Sequence, residues 1–348
     1  MHSLTAPYLD RLRLSGDDGA MLAALGACRG RQELFERQTP ELLSALQEAA
    51  IIESTESSNR IEGVVAPHAR VEAIVLRATT PRNRSEAEIA GYRDALNLIH
   101  ESAPEMTFSV NVILQLHTIL YRYHPGPGGR WKATQNEIVE RDSAGVVQRV
   151  RFIPPSPVAT PGLMESLTEE YRRAVNDGRE PLILIPLAVL DFLSVHPFTD
   201  GNGRMARLLS LQLLYRFEFS VGRYISLERI IEESKETYYE ALEASSRGWH
   251  EAEHDVLPWM RYFWGVLLRA YQEFEERVGT LRSGRGSKTD LVEQAVSRRI
   301  SAFAISDIEK ECPGVSRDWI RIVLRRLRDE QRIVRHGKGR GAKWVRQD

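Results

Sequence analysis

Apolar positions recur at helical spacing along most of the chain. ELLSALQEAAIIES at 41–54, EAEIAGYRDALNLIHES at 86–102 and SVNVILQLHTILYRY at 109–123 each predict a helix, and HPGPGG at 124–129 stops the third. Between 131 and 153 the pattern changes. β-Branched residues flank DSAG, a turn signal, and predict a β-hairpin. PPSPVATP then reads as an extended connector, and 162–176 is helical again. PLAVLDFLSV at 186–195 is apolar on nearly every side, which predicts a helix in the centre of the core with Pro186 in its first turn. MARLLSLQLLYRF at 205–217 is a second such helix. Two more follow, in SKETYYEALEAS and VLPWMRYFWGVLLRAYQEFEERV. Residues 279–290, GTLRSGRGSKTD, read as a polar, glycine-rich linker. Three short helical segments and RIVRHGKGRGAKWVR close the chain. The expected fold class is mainly α, with one small hairpin and an appended C-terminal domain.

Composition changes this picture little: 42% apolar and 27% charged residues are those of an ordinary globular protein. The net charge of −1 argues against the whole molecule binding a polyanion, but the sign is uneven. From Leu281 onward, 17 Lys+Arg stand against 9 Asp+Glu, so the tail is basic and the body acidic. Cys28 and Cys312 lie far apart and match no metal or disulfide spacing, which points to a reducing compartment. The N-terminal stretch lacks a secretory pattern, and PLILIPLAVLDFLSV is too short to span a bilayer. A cytoplasmic protein without membrane contact is expected.

The chemistry concentrates where the two greasy helices meet, in HPFTDGNGR at 196–204. A loop ending in Gly-Asn-Gly and running into a helix offers unpaired backbone N–H groups at the positive end of a dipole, an anion site. Gly201 and Gly203 allow close approach. Arg204 and Arg207, three apart, share one helix face and suggest several phosphates. Asp200 would repel such an anion unless a divalent cation lies between them, and one carboxylate plus phosphates is a common Mg²⁺ arrangement. His196 can accept a proton near neutral pH. For any single residue a glycine turn with a core histidine is the simpler reading; the whole set in order is hard to obtain that way.

HPFTDGNGRMAR resembles the Fic-family signature, H-x-F-x-[D/E]-G-N-G-R-x-x-R, at every fixed position. GRWKATQNEI…RFIPPSPVATPGLMESL is similar to that family's flap hairpin and following helix, and ETYYEAL…LPWMRYFW to its later helices. The resemblance covers roughly residues 10 to 275 and implies a Fic-type helical bundle. The divisions expected are an N-terminal helical region (1–95), a Fic core (96–278), the linker and a C-terminal domain (291–348). The resemblance implies transfer of AMP from ATP to a Ser, Thr or Tyr hydroxyl of a target protein, and of the chain itself as a further candidate. His196 then takes the hydroxyl proton, and Asp200 holds Mg²⁺ against the α- and β-phosphates. Gly201, Asn202 and Gly203 form the anion hole, and Arg204 and Arg207 hold the β- and γ-phosphates. Tyr238 and Tyr239 match positions lining the adenosine pocket, with core aromatics as the alternative. Gln135, Asn136 and Ile138 lie on the flap, which would dock a target segment by strand addition.

SSNRIEG at 57–63 places Ser58 and Glu62 at i, i+4 on a helix that Gly63 ends. A glutamate there faces the unfavourable end of the dipole and calls for a cation, Arg60 being the nearest. The resemblance extends to an inhibitory helix at about 54–63, [S/T]-x-x-x-E-[G/N], and implies that Glu62 pairs with Arg207, with Arg204 as a second partner. Such a pair would deny ATP its γ-phosphate ligand. The same glutamate could instead orient a water that removes AMP.

Residues 305–348 resemble a winged helix, with Ile320, Val323, Leu324 and Leu327 facing inward and HGKGRGAKW as the wing. Arg317, Arg321, Arg325, Lys338, Arg340 and Lys343 are candidate phosphate contacts for DNA; docking in a homodimer or on a target is the rival. Two other functions stay open. One is a DNA-binding regulator whose body only senses nucleotide. The other is a Fic enzyme transferring UMP, phosphocholine or a phosphoryl group.

Overall fold

The structure is a computed structural model that describes residues 2–36, 40–77, 79–141, 146–283, 288–297, 299, 302–312, 314–337 and 342–346. Two compact units divide it, Met1–Gln272 and Glu273–Asp348.

The first unit begins with α1 (Ala6–Arg11), α2 (Gly16–Glu36) and α3 (Pro40–Ile61). The apolar period read over 41–54 and the segment carrying Ser58 are thus one helix. Gly63, at φ 79°, lets the chain leave it, and the Val64 N–H folds back onto the Asn59 carbonyl. Then come α4 (His68–Arg77), α5 (Arg84–Ser102) and α6 (Val110–Leu120). Asn83 and Ser109 cap the last two through side-chain oxygens. α5 and α6 cross closely at Gly91, where a Cβ would meet the Leu120 carbonyl oxygen at 2.0 Å.

The expected hairpin is β1 (Ile138–Arg141) and β2 (Val147–Phe152), antiparallel, with Ile138 opposite Phe152; its turn at 142–145 lies outside the described residues. α7 (Thr160–Asn176), α8 (Pro181–Val195) and α9 (Asn202–Arg216) follow. Helix α8 starts earlier than its pattern predicts, so Pro186 falls inside it rather than in its first turn. A proline there leaves the Leu182 carbonyl without its helical donor. The Trp264 indole N–H supplies one at 2.7 Å, and Trp259 donates to the Pro186 carbonyl at 2.8 Å. The Trp264 bond makes an internal proline tolerable.

α8 is buried from Leu184 through Val195, and α9 packs along it. A short 3₁₀ turn (Ser220–Arg223), α10 (Leu227–Glu233), α11 (Lys235–Ser246) and α12 (Leu257–Ser283) complete this part of the chain. The Ser3 backbone N–H and hydroxyl both donate to the Asp191 carboxylate of α8, which also receives the Trp249 indole N–H at 2.7 Å.

The second unit contains α13 (Lys288–Ser297), α14 (Ile305–Glu311), α15 (Arg317–Asp329) and an antiparallel pair, β3 (Ile333–His336) and β4 (Lys343–Arg346). Phe303 makes an isolated antiparallel bridge to Trp344. Ile320, Val323, Leu324 and Leu327 face inward as their spacing predicts, against Val292, Phe303 and Ile308. Cys28 and Cys312 are both buried, and neither forms a disulfide. No helix among the described residues is long and apolar enough to cross a membrane.

Candidate active site

The site is built on the joint between α8 and α9. His196 ends α8 in the left-handed conformation, φ 48° and ψ 60°, which a non-glycine residue adopts at some cost. Its Nδ1 lies 3.3 Å from the Leu193 carbonyl. A carbonyl only accepts, so this nitrogen carries the proton and Nε2 is left with its lone pair. Burial disfavours the imidazolium and lowers the His196 pKa to about 4, helped by the Lys132 charge and opposed by the Leu193 bond, Glu62 and Asp200. The ring is therefore neutral at pH 7.

The loop between the helices is closed by side chains. Asn202 accepts from the Phe198 N–H at 2.9 Å and donates back to its carbonyl at 2.8 Å. The Asn202 side-chain amide is thus committed to the loop's own backbone. Gly201 takes φ 80° at the entry to α9. Under the loop, Phe198 stacks on His117 with centroids 3.7 Å apart. His117 accepts from the Gly129 N–H through Nδ1 and reaches the Asp200 carbonyl through Nε2. Burial lowers its pKa to about 4 and keeps it neutral. Nothing in the local sequence marked His117 as a support for the loop; it lies on an apolar helix face.

Arg207 is 3% exposed and gripped by α3. Its Nε donates to the Ser58 hydroxyl and its Nη2 to the Ser58 carbonyl and the Glu62 carboxylate, all at 2.8 Å. Burial works against the guanidinium charge, but Glu62 outweighs it and the Arg207 pKa rises. Ser58 and Glu62 are thus brought together on Arg207. Arg60 pairs elsewhere, with Glu56 and Glu232. Arg204 turns away from Glu62, donating to Glu88 at 2.6 Å, with Asn59 and Tyr121 nearby. Glu88 appears in the sequence only as a polar residue of an amphipathic helix, so its role was not legible there.

Glu62 reaches over the first turn of α9 so closely that a Cβ on Gly203 would meet its Oε1 at 2.2 Å. The first-turn amides of a helix have no acceptor within it. A carboxylate thus already lies where the loop would receive an anion.

Asp200 is half-exposed beside Arg204 (3.9 Å) and Arg84 (4.0 Å). Partial burial opposes its charge, but Arg204, the Gly201 N–H and Tyr121 hold its pKa below the usual carboxylate value. No group of three or more His, Cys, Asp or Glu that could hold a metal occurs among the described residues. Asp200 alone could share a Mg²⁺ only with oxygens brought by a ligand, a donor set that suits this cation.

A cleft of about 830 Å³ opens beside the joint, lined by Glu62, Ile138, His196, Gly203, Tyr238 and Tyr239 among others. Tyr238 is buried and meets Tyr239 edge-on at 5.1 Å. Lys235 donates to the Ile61 carbonyl at 2.9 Å and supplies a cation at the end of α3. Of the flap residues, Ile138 lines the cleft. Gln135 closes the hairpin base on the Pro154 carbonyl at 2.7 Å, and the Asn136 amide is spent on the backbone of the joint.

Residues 107–214 match the family model described as Fic/DOC family. The chain is 28% identical over 221 residues to a protein adenylyltransferase Fic of Nematostella vectensis, covering 59% of this chain and 44% of that protein. A second such protein, from Drosophila willistoni, is 25% identical over 250 residues, covering 70% and 45%. The chain therefore spans less than half the length of these curated relatives. In fold it is similar to a crystal structure of a Fic family protein from Desulfovibrio desulfuricans G20, with TM-score 0.62 and 21% identity over 97% of each chain. It is also similar to a fragment of Fic-1 from C. elegans, with TM-score 0.57 and 21% identity over 78% of this chain and 74% of that one. The match at 107–214 holds the whole joint from His196 to Arg207, so the segment that carries the site is the part of the chain that is similar to the Fic/DOC family.

Proposed function

We propose that the chain is a self-inhibited protein adenylyltransferase that moves AMP from ATP to a hydroxyl of a target protein. The observation that carries this is the Glu62 carboxylate lying over Gly203 and bonded to Arg207 at 2.8 Å, in the cleft that also holds His196. An anion held there by the chain itself supports reading this place as a polyphosphate site.

In the reaction, His196 Nε2 takes the proton of the target hydroxyl. The oxygen bonds to the α-phosphorus, and the bond to the β-phosphate oxygen breaks as pyrophosphate leaves. The amides at the start of α9 face the charge that develops on phosphoryl oxygens. Asp200 would hold Mg²⁺ jointly with the nucleotide; the ion's chemistry there is neutralisation of phosphate charge. Tyr238 and Tyr239 line the space left for adenosine, and Ile138 the flap side where a target strand would lie. With Glu62 on Arg207, a γ-phosphate loses this guanidinium, so ATP is held out of its productive pose.

The expected outcome is that Glu62→Gly protein incorporates labelled AMP at least about tenfold faster than the parent. The Glu62→Gly, His196→Ala double variant should lose the label. Equal incorporation by parent and Glu62→Gly protein would overturn the inhibitory role.

For the second unit, the helix order, the β3–β4 pair and the Phe303 bridge support a winged-helix reading, with duplex DNA as its candidate ligand. Arg317 and Arg321 carry their own acidic partners, Glu309 and Asp318, on exposed faces where such pairs exchange readily for phosphate. Lys338 and Arg340 lie outside the described residues. Fluorescence anisotropy with a random duplex at rising salt decides it; no binding at low salt would remove DNA as a ligand.

A further inference from the structure

We propose that Lys132 and Asn136 are positioning residues for this reaction: from the base of the hairpin they hold the backbone of residues 195–198, and with it the left-handed His196, in register with the cleft. The proposal rests on the adenylyl-transfer reading of the same site.

Four consecutive carbonyls leave the end of α8, and each is met by this pair. Lys132 Nζ donates to the Val195 carbonyl at 3.0 Å. Asn136 Nδ2 donates to the His196 carbonyl at 3.2 Å and to that of Phe198 at 3.0 Å. The Lys132 backbone N–H donates to the Pro197 carbonyl at 2.8 Å. The two side chains are locked together, Lys132 Nζ donating to Asn136 Oδ1 at 2.9 Å.

A helix end leaves its last carbonyls without donors, and here a left-handed residue follows at once, so the helix does not continue to supply them; the Phe198 carbonyl has a second donor in Asn202. A buried cation at that end of the dipole is favourable, and Lys132 is 3% exposed. Its amine has given up most of its water, and burial lowers its pKa to about 8. The arrangement does two things. It offsets the cost of the unusual His196 backbone, and it ties that backbone to the segment that becomes β1 two residues later. Gln135 closes the same base on Pro154. Hairpin and proton acceptor are thereby mounted on one frame, so the flap that would present the hydroxyl and the imidazole that would receive its proton are aligned to each other.

The test uses the full chain with Glu62→Gly, adding Lys132→Met, Asn136→Ala or Lys132→Arg. Three quantities are measured: steady-state AMP transfer, ATP binding by calorimetry, and hydrogen exchange of the peptide spanning 196–204. A base displaced by an ångström costs about 100-fold, so Lys132→Met and Asn136→Ala should each lower kcat by about that factor. The KM and Kd for ATP should stay within about twofold, because the phosphate ligands are untouched. Exchange in 196–204 should quicken about tenfold, the worth of one hydrogen bond to a charged group. Lys132→Arg, which keeps a cationic donor, should recover most of kcat. Unchanged kcat with unchanged exchange overturns the proposal. So does a loss of transfer that follows a parallel loss of ATP binding while exchange stays put. Should Lys132→Met not fold, Asn136→Ala decides alone. Should Glu62→Gly itself transfer no AMP, the adenylyl-transfer reading falls, and hydrogen exchange still decides the clamp.

Discussion

At the scale of single residues, the protonation of His196 is the quantity most open to measurement. Its pKa stands near 4 because burial penalises the imidazolium. As the proposed base it must be neutral, so lowering the pH from 7 to 5 leaves it competent. In Glu62→Gly protein a carboxylate that raised this pKa is gone, which moves the acid limb lower still. The pH profile of AMP transfer should therefore hold level to about pH 5; an acid limb centred near the ordinary histidine value of about 6.5 would contradict this. The same scale shows what local sequence conveys. The signature residues and the Ser58–Glu62 pair sit at fixed spacings, and the structure brings Glu62 to Arg207, the partner that the family resemblance implies. Glu88, His117 and Lys132 were not legible. Each acts across more than 60 positions of chain, and none has a local pattern that sets it apart from a surface or core residue.

At the scale of elements, periodicity located the helices but not always their ends. Pro186 is the clearest case. A proline in an apolar run ordinarily marks a first turn, yet α8 begins at Pro181, and the cost is met by an indole from a helix far along the chain. No window of local sequence contains that compensation. Trp264→Phe keeps most of the packing and removes the donor to the Leu182 carbonyl. It should lower stability by about 1–3 kcal/mol in urea unfolding, the penalty of a buried acceptor left unpaired. A change within experimental error would mean that the proline strain is met some other way. The hairpin was legible from its β-branched residues, and the merging of the Ser58–Glu62 segment with the helix before it fits a stretch that holds no glycine or proline between Pro40 and Gly63.

At the scale of the whole molecule, buried neutral histidines set the response to acid. His100 has its pKa lowered to about 3, and His117, His196 and His254 to about 4, burial being the main cause in each. In the unfolded chain each would titrate near 6.5. A depressed folded pKa stabilises the fold above the unfolded value and gives that stability up as pH falls toward the folded one. Asp191 has the opposite sign: burial raises it to about 6, so its contribution is present in acid and lost as pH rises through that value. Four histidines outweigh one carboxyl. The urea midpoint of the first unit should therefore drop steadily between pH 6.5 and pH 4, and a midpoint that rises over that range would refute the assignment.

The placement of the two cysteines gives this molecule a pair of internal clocks. Cys28 lies in one compact unit and Cys312 in the other, both shielded from water. A thiol reagent added to native protein waits for each region to open, and peptide mass spectrometry tells the two alkylations apart. The local unfolding of each half can thus be timed in the untouched wild-type chain, with no engineered label. ATP added during the experiment would reveal which of the two it steadies.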